Sequence, residues 1–313
     1  MFGWLAGSKQ EPGWLAVGIE ADAIRIAQGI PGNGKPHAGR WGVLRPQSSS
    51  KEHSLEKIAR EQRLQNFQCT TLLGPSEYQI LLVDAPSVPR DELKAAIRWR
   101  IKDLLEYHVD DATIDVLEIP ADPGAGGAKP RSMYAVAAPN DVVHKRIEAF
   151  EAAHLALKAI DIPEMAQRNI ASHLQQAERT TAMVSFRNWG GLLTFSYDGE
   201  LLLSRRLEVT WDQLAVAEHR THYFERITTE LQRSFEHLER QFHRFPVGEL
   251  LLAPLPEQTG LVEHLAANLY VPVRAFSLGE VIEFPPDGAA EDAEQWEFFH
   301  LFGAAMRVEP KAL

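Results

Sequence analysis

Residues 14–30, WLAVGIEADAIRIAQGI, place two apolar runs of strand length around a short acidic turn made of Glu20, Ala21, Asp22 and Ala23. That pattern predicts a hairpin. The next twenty residues are rich in Gly, Pro and Ser and predict a loop, with a short strand at 41–44. Leu55, Ile58 and Leu64 fall at helical spacing and predict a helix from 54 to about 67. YQILLVDAP reads as a short buried strand, and VPRDELKAAIRWRIKDLLEYH as a helix opened by Pro89 and an acidic first turn. ATIDVLEIP and SMYAVAAP read as strands joined by the flexible ADPGAGGAKP, and NDVVHKRIEAFEAAHLAL as a helix. This block, about 77–158, has the look of a unit of its own.

The opening pattern then restarts. TAMVSFRNWGGLLTFSYDGELLLSRRLEV predicts three strands, with Asp198 and Gly199 as a two-residue turn. Phe224, Ile227, Leu231, Phe235, Leu238, Phe242 and Phe245 form one helical stripe that Pro246 ends. It has heptad-like spacing but spans only about three heptads, so a core-facing helix is preferred to a coiled coil. A strand at VGELLLAP, a helix at TGLVEHLAANL, a strand at VPVRAF and a last helix near EQWEFFHLFGAAMRV complete an α/β alternation. Two meanders, each followed by helices and single strands, suggest duplicated subdomains.

The 313 residues are 45% hydrophobic and 24% charged, enough for a sizeable core and two domains. A net charge of −11 argues against nucleic acid as partner and against attraction to anionic lipid by charge alone. The single cysteine, Cys69, allows no intrachain disulfide, which fits a reducing compartment. No apolar run approaches the ~20 residues of a membrane span. The start, MFGWLAGSKQEPGW, lacks the basic n-region of a signal peptide, so a cytoplasmic address is expected. Residues 1–13 read as a frayed terminus, with contact of Phe2, Trp4 and Leu5 to a membrane or partner as the other reading.

The order of these elements resembles the PilM-like actin-fold proteins of type IV pilus assembly, and within them the branch serving mannose-sensitive haemagglutinin (MSHA) pili. VGIEADAIRIA resembles the first hairpin of that family. DAPSVPRDELKAAIRWRIKDLLEYHVDDATIDVLEI resembles its inserted subdomain, YDGELLLSRRLEV its second meander, ELQRSFEHLERQF its long helix and LFGAAMR its closing helix. The resemblance covers about 14–308. It implies an α/β, actin-like (ribonuclease H-like) two-subdomain ATPase fold with an inserted small α/β subdomain. The first subdomain would take 14–76 plus about 159–179, the insert 77–158, and a reduced second subdomain 180–308. It further implies a non-enzymatic scaffold, cytoplasmic and peripheral at the inner membrane. Such a scaffold docks the cytoplasmic tail of a bitopic, PilN-like assembly protein, with a homo-oligomer as an open alternative.

The resemblance also implies where nucleotide would bind: two phosphate hairpins and an adenosine loop, each with glycine, because only a residue without Cβ lets backbone amides close on phosphate. Here Glu20 stands where the family has Asp, and Asp22 and its neighbours replace the glycine and serines that follow. Ser185, Phe186 and Arg187 stand in place of the family's Asp-Ile-Gly, and Gly190 and Gly191 come late, beside Trp189. Ala253 and Pro254 replace the two adenosine-loop glycines, and proline removes a donor. The short stretch between Arg206 and Phe224 implies a cut-down cleft wall. No cofactor is therefore expected. The alternative is an ATP-binding, kinase-like member whose nucleotide state regulates assembly.

Other chemistry is weaker. Glu20 and Asp22 could be metal-binding carboxylates of a nuclease, but Ser185–Phe186–Arg187 supplies no further acid and the chain is acidic overall. His219 with His222, and His237 with His243, lack a third ligand at zinc spacing. Cys69 reads as a small buried residue, and neither a nucleophile elbow nor a Walker loop is present. Trp99 stands out. In RDELKAAIRWRIKDLLEYH, Leu93, Ile97, Ile101 and Leu104 share an arc facing the insert's own sheet, and Trp99 projects from the opposite side. It either packs on the rest of the chain or anchors a docked tail.

Overall fold

The computed structural model describes residues 10–20, 23–45, 51–120, 132–174, 178–242, 244–286 and 291–308. First in chain order come β1 (Trp14–Ile19), β2 (Ile24–Ile30), β3 (His37–Leu44), α1 (Lys51–Glu61) and β4 (Gln68–Leu72). The insert follows: β5 (Gln79–Asp84), α2 (Leu93–Ile101), β6 (Ala112–Glu118) and β7 (Ser132–Pro139). The chain returns through α3 (Asn140–Ala152), β8 (Ala156–Asp161) and α4 (Pro163–Ser172). The second half holds β9 (Thr180–Arg187), β10 (Gly190–Tyr197), β11 (Glu200–Leu207), α5 (Trp211–Ala215) and α6 (Arg220–Gln241). It ends with β12 (Val247–Leu252), α7 (Leu261–Asn268), β13 (Val273–Ala275) and α8 (Asp292–Ala305).

Two five-stranded sheets repeat one plan, ordered β3-β2-β1-β4-β8 and β11-β10-β9-β12-β13. In each, an antiparallel meander is extended by two strands parallel to its first. The insert is a separate antiparallel sheet, β5-β7-β6.

Alternation along the strands decides what covers each face. Leu15, Val17, Ile24 and Ile26 point outward, onto Leu55 and Ile58 of α1 and Phe150 of α3. Ala16 and Ala27 point inward, onto α4 and α8. In the second sheet the outward face meets the α6 stripe Phe224, Ile227, Leu231, Phe235 and Leu238, plus Leu261 and Leu265 of α7. Met183 and Leu251 point inward, to the same α4–α8 pair. Two crossing helices thus fill the space between the sheets, and small residues let them do so. A Cβ built on Gly303 of α8 would lie 2.3 Å from the carbonyl oxygen of Ala166 on α4, and Asn169 Nδ2 donates to that glycine's carbonyl at 2.9 Å.

Several elements differ from their sequence expectations. The first helix stops at Glu61, where Arg63 turns left-handed at φ 54°, rather than near 67. The helix of the insert stops at Ile101, so Leu104 leaves the buried arc of Leu93, Ile97 and Ile101 and is 54% exposed. α3 ends at Ala152 before left-handed His154, and the chain then forms β8 where helix was expected. β3 is eight residues long rather than a short strand at its end. β4, α4 and α5 were not foreseen at all.

Candidate functional site: the cleft between the halves

The two meander turns face the N-terminal part of α8, and side chains there are tied together. Glu20's amide donates to the Ala23 carbonyl at 3.0 Å and closes the first turn. Its carboxylate lies 2.9 Å from Arg25 Nη1, and Arg25 Nε donates to Glu297 Oε1 at 2.8 Å. From the end of β9, Arg187 donates to the carbonyls of Trp296 and of Glu297, the latter at 3.1 Å. Its guanidinium also sits 4.2 Å from the centroid of the Trp296 ring, a cation–π contact. Trp296 Nε1 in turn donates to the Phe186 carbonyl at 2.7 Å. Burial pulls the Arg187 pKa down to about 10, with Glu20 and Glu297 acting against the fall and Arg25 adding to it. Arg187 remains a cation at neutral pH.

Below this layer Ser185 is buried. Its hydroxyl donates to Gln167 Oε1 at 2.9 Å and lies 3.4 Å from His300 Nε2. Gln167 reaches from α4 to the Met183 carbonyl at 2.6 Å and Thr194 Oγ1 at 2.9 Å. Burial, with the nearby Arg187 charge, holds His300 well below the usual histidine range. Ser185 and His300 have the residue types of a nucleophile–base pair. Both are buried, however, and the hydroxyl proton is engaged by Gln167, so the pair knits α4 and α8 to the second sheet.

At the third loop Ala253 and Pro254 are both buried. The Ala253 amide is spent on the Val184 carbonyl at 2.9 Å, and proline has none to offer. Where an actin-type site presents amides to phosphate, the three loops present a carboxylate, a guanidinium and engaged or missing N–H groups. Trp189, 39% exposed, stands at the mouth with its ring 6.1 Å from that of His300.

The structure therefore brings Glu20 and Arg187 into one network, with Ser185 one layer beneath and Ala253 bonded to β9, the strand that carries Ser185 and Arg187. Asp22 lies outside the described residues, as do Phe2, Trp4, Leu5 and His243. Arg25, Gln167, Trp296, Glu297 and His300 were not foreseen as members. An available signal was Arg25, the one charge inside the mostly apolar β2. Among the described residues no three His, Cys, Asp or Glu side chains gather as a metal site. Burial pushes the Cys69 thiol up to about 12, which leaves it inert. Trp99 lies apart from the cleft, on α2. It is 70% exposed, with Lys102 Nζ 5.6 Å from its ring centroid, so it does not pack on the rest of the chain.

No protein-family model matches the sequence, and no curated protein matches it either. Solved structures do. A chain of a PilM–PilN type IV pilus biogenesis complex superposes with a TM-score of 0.72 at 17% identity, covering 95% of this chain and 99% of that one. A Bacteroides thetaiotaomicron protein described as having an actin-like ATPase fold and unknown function gives 0.50 at 11% identity, over 94% and 98%. The cytoplasmic domain of EpsL, an inner-membrane component of the Vibrio cholerae type II secretion system, gives 0.49 at 11% identity, over 92% and 94%. Among the described residues no helix is long and apolar enough to cross a membrane. The chain has the actin-like ATPase fold, with two mixed five-stranded sheets and a small inserted sheet.

Proposed function

We propose that this protein is a non-enzymatic scaffold of type IV pilus biogenesis, of the MSHA type, working on the cytoplasmic side of the inner membrane. Its partner in this reading is the cytoplasmic tail of a bitopic, PilN-like assembly protein. The observation that carries the reading is the match in fold, over nearly the whole of both chains, to a chain of a PilM–PilN pilus biogenesis complex. The tied-up cleft supports the non-enzymatic part. Glu20, Arg25, Arg187, Trp296 and Glu297 satisfy one another where a phosphate would have to be received. Uncovered Trp99 supports the docking part, since a large exposed aromatic at a subdomain surface suits a binding hot spot. Leu104, half-exposed nearby in sequence, adds apolar area.

The test is titration of the full chain with a synthetic PilN-like cytoplasmic tail peptide. Trp99→Ala is expected to weaken that affinity by more than ~1 kcal/mol while the melting temperature stays put, because the side chain supports nothing inside the fold. Unchanged affinity removes Trp99 from the interface, and no binding by either protein removes the partner class.

A further inference from the structure

At the β3 edge of the first sheet, on its outward face, a groove of about 550 Å³ runs between β3 and the end of α1. Ile26 and Leu44 give it an apolar floor, and Glu61 at the end of α1 with the following Gln62 and Arg63 forms its other wall. Gly42 deepens it: a Cβ there would meet nothing within 4 Å, so the space above that position is open. β3 is an edge strand, and among the described residues only its first part has a backbone partner on the outer side. The Ala38 amide donates to the Glu283 carbonyl and the Glu283 amide to the Pro36 carbonyl, both at 2.8 Å. Residues 40–44 border the groove instead.

The chain itself is held at the end of this groove. Glu11's amide donates to the Asn66 carbonyl at 3.0 Å, three residues past Arg63. Gln28 Nε2 donates to the Pro12 carbonyl at 3.0 Å, and the same side chain's Oε1 accepts the amide of Arg40, a groove residue, at 3.1 Å. One glutamine thus joins the first described residues to the edge strand. The nine residues that precede Gln10, MFGWLAGSK, carry Phe2, Trp4 and Leu5. Fully extended they reach ~30 Å, ample for a strand of five residues, about 17 Å. In a strand Phe2 and Trp4 share a face.

We propose that residues 1–9 add as a strand to the 40–44 edge of β3, in cis, with Phe2 and Trp4 seated over Ile26 and Leu44. Pairing supplies backbone hydrogen bonds, the groove receives alternate side chains, and an edge open to other chains is covered. The tether supplies a millimolar effective concentration, so a segment this short needs only modest intrinsic affinity.

Hydrogen exchange on the full chain tests this. Those amides of residues 41–44 that point away from β2, every second one along the strand, should exchange at least tenfold faster in a Phe2→Ser/Trp4→Ser double variant than in the unmutated protein, while β1 and β9 keep their rates. Added peptide MFGWLAGSK should restore the protection. Equal rates in the two proteins overturn the proposal. Protection that rises with protein concentration assigns the groove to a second copy and overturns the cis contact. A variant that loses only its pelleting with phosphatidylglycerol vesicles, with exchange unchanged, assigns the segment to a lipid surface and overturns it as well.

Discussion

His300 is buried against Ser185 beside the Arg187 cation, and that sets a pH dependence. The folded state keeps the imidazole neutral well below the ordinary value of 6.5, whereas the unfolded chain protonates near it. The unfolded state therefore binds more protons below pH 6.5, and the stability due to a neutral His300 is lost as pH falls through that window. Unfolding measured in urea should show the wild type losing up to ~1.4 kcal/mol per pH unit relative to His300→Gln below about pH 6.5. His173 and His237, also lowered, act alike in both proteins and cancel from the difference. A difference that stays flat with pH places the proton elsewhere. At this scale the absence of glycine was legible, because Arg187, Ala253 and Pro254 stand in the sequence itself. The partners that these positions take in the fold were not. Arg25 and Glu297 are 272 positions apart and Arg187 and Trp296 are 109, so only folding makes them neighbours.

Helices α4 and α8 decide how closely the two sheets can approach. Gly303→Ala drives a methyl to 2.3 Å from the Ala166 carbonyl oxygen, a backbone atom that cannot swing away. Destabilisation of about 3 kcal/mol is expected in denaturant unfolding, the upper end of the cost of overpacking. A near-neutral variant shows that the helices can slide apart freely. α4 itself escaped sequence reading because PEMAQRNIAS presents small and polar residues, Ala166, Gln167 and Asn169, to a buried surface. Such a face gives almost no hydrophobic stripe. β4, QCTTL, and β8, ALKAID, are short, and their burial or pairing comes from neighbours in the sheet rather than from alternation. β3 carries two glycines that read as loop. The meander β9–β11 and the α6 stripe were legible because a two-residue turn and a long 3.6-residue period are strong local signals.

For the whole molecule, the duplicated sheets and their shared helix pair preserve an ATPase architecture, and the cleft between the halves is where that architecture and this sequence part company. Between β11 and α6 stand only the five-residue α5 and one further 3₁₀ turn, Ala217–His219, so little chain is available to build a cleft wall. A cleft closed by ion pairs and by Trp296 suits a body that holds one shape while partners assemble on its surface. The proposed scaffold role therefore expects no opening and shutting on a nucleotide. Titration of the full chain with Mg-ATP, read as a shift in unfolding free energy, tests this most directly. No saturable shift is expected at millimolar nucleotide. A ligand at a hundred times its dissociation constant stabilises a protein by ~2.7 kcal/mol, and a saturable gain of that size that is abolished by Arg187→Glu would contradict it.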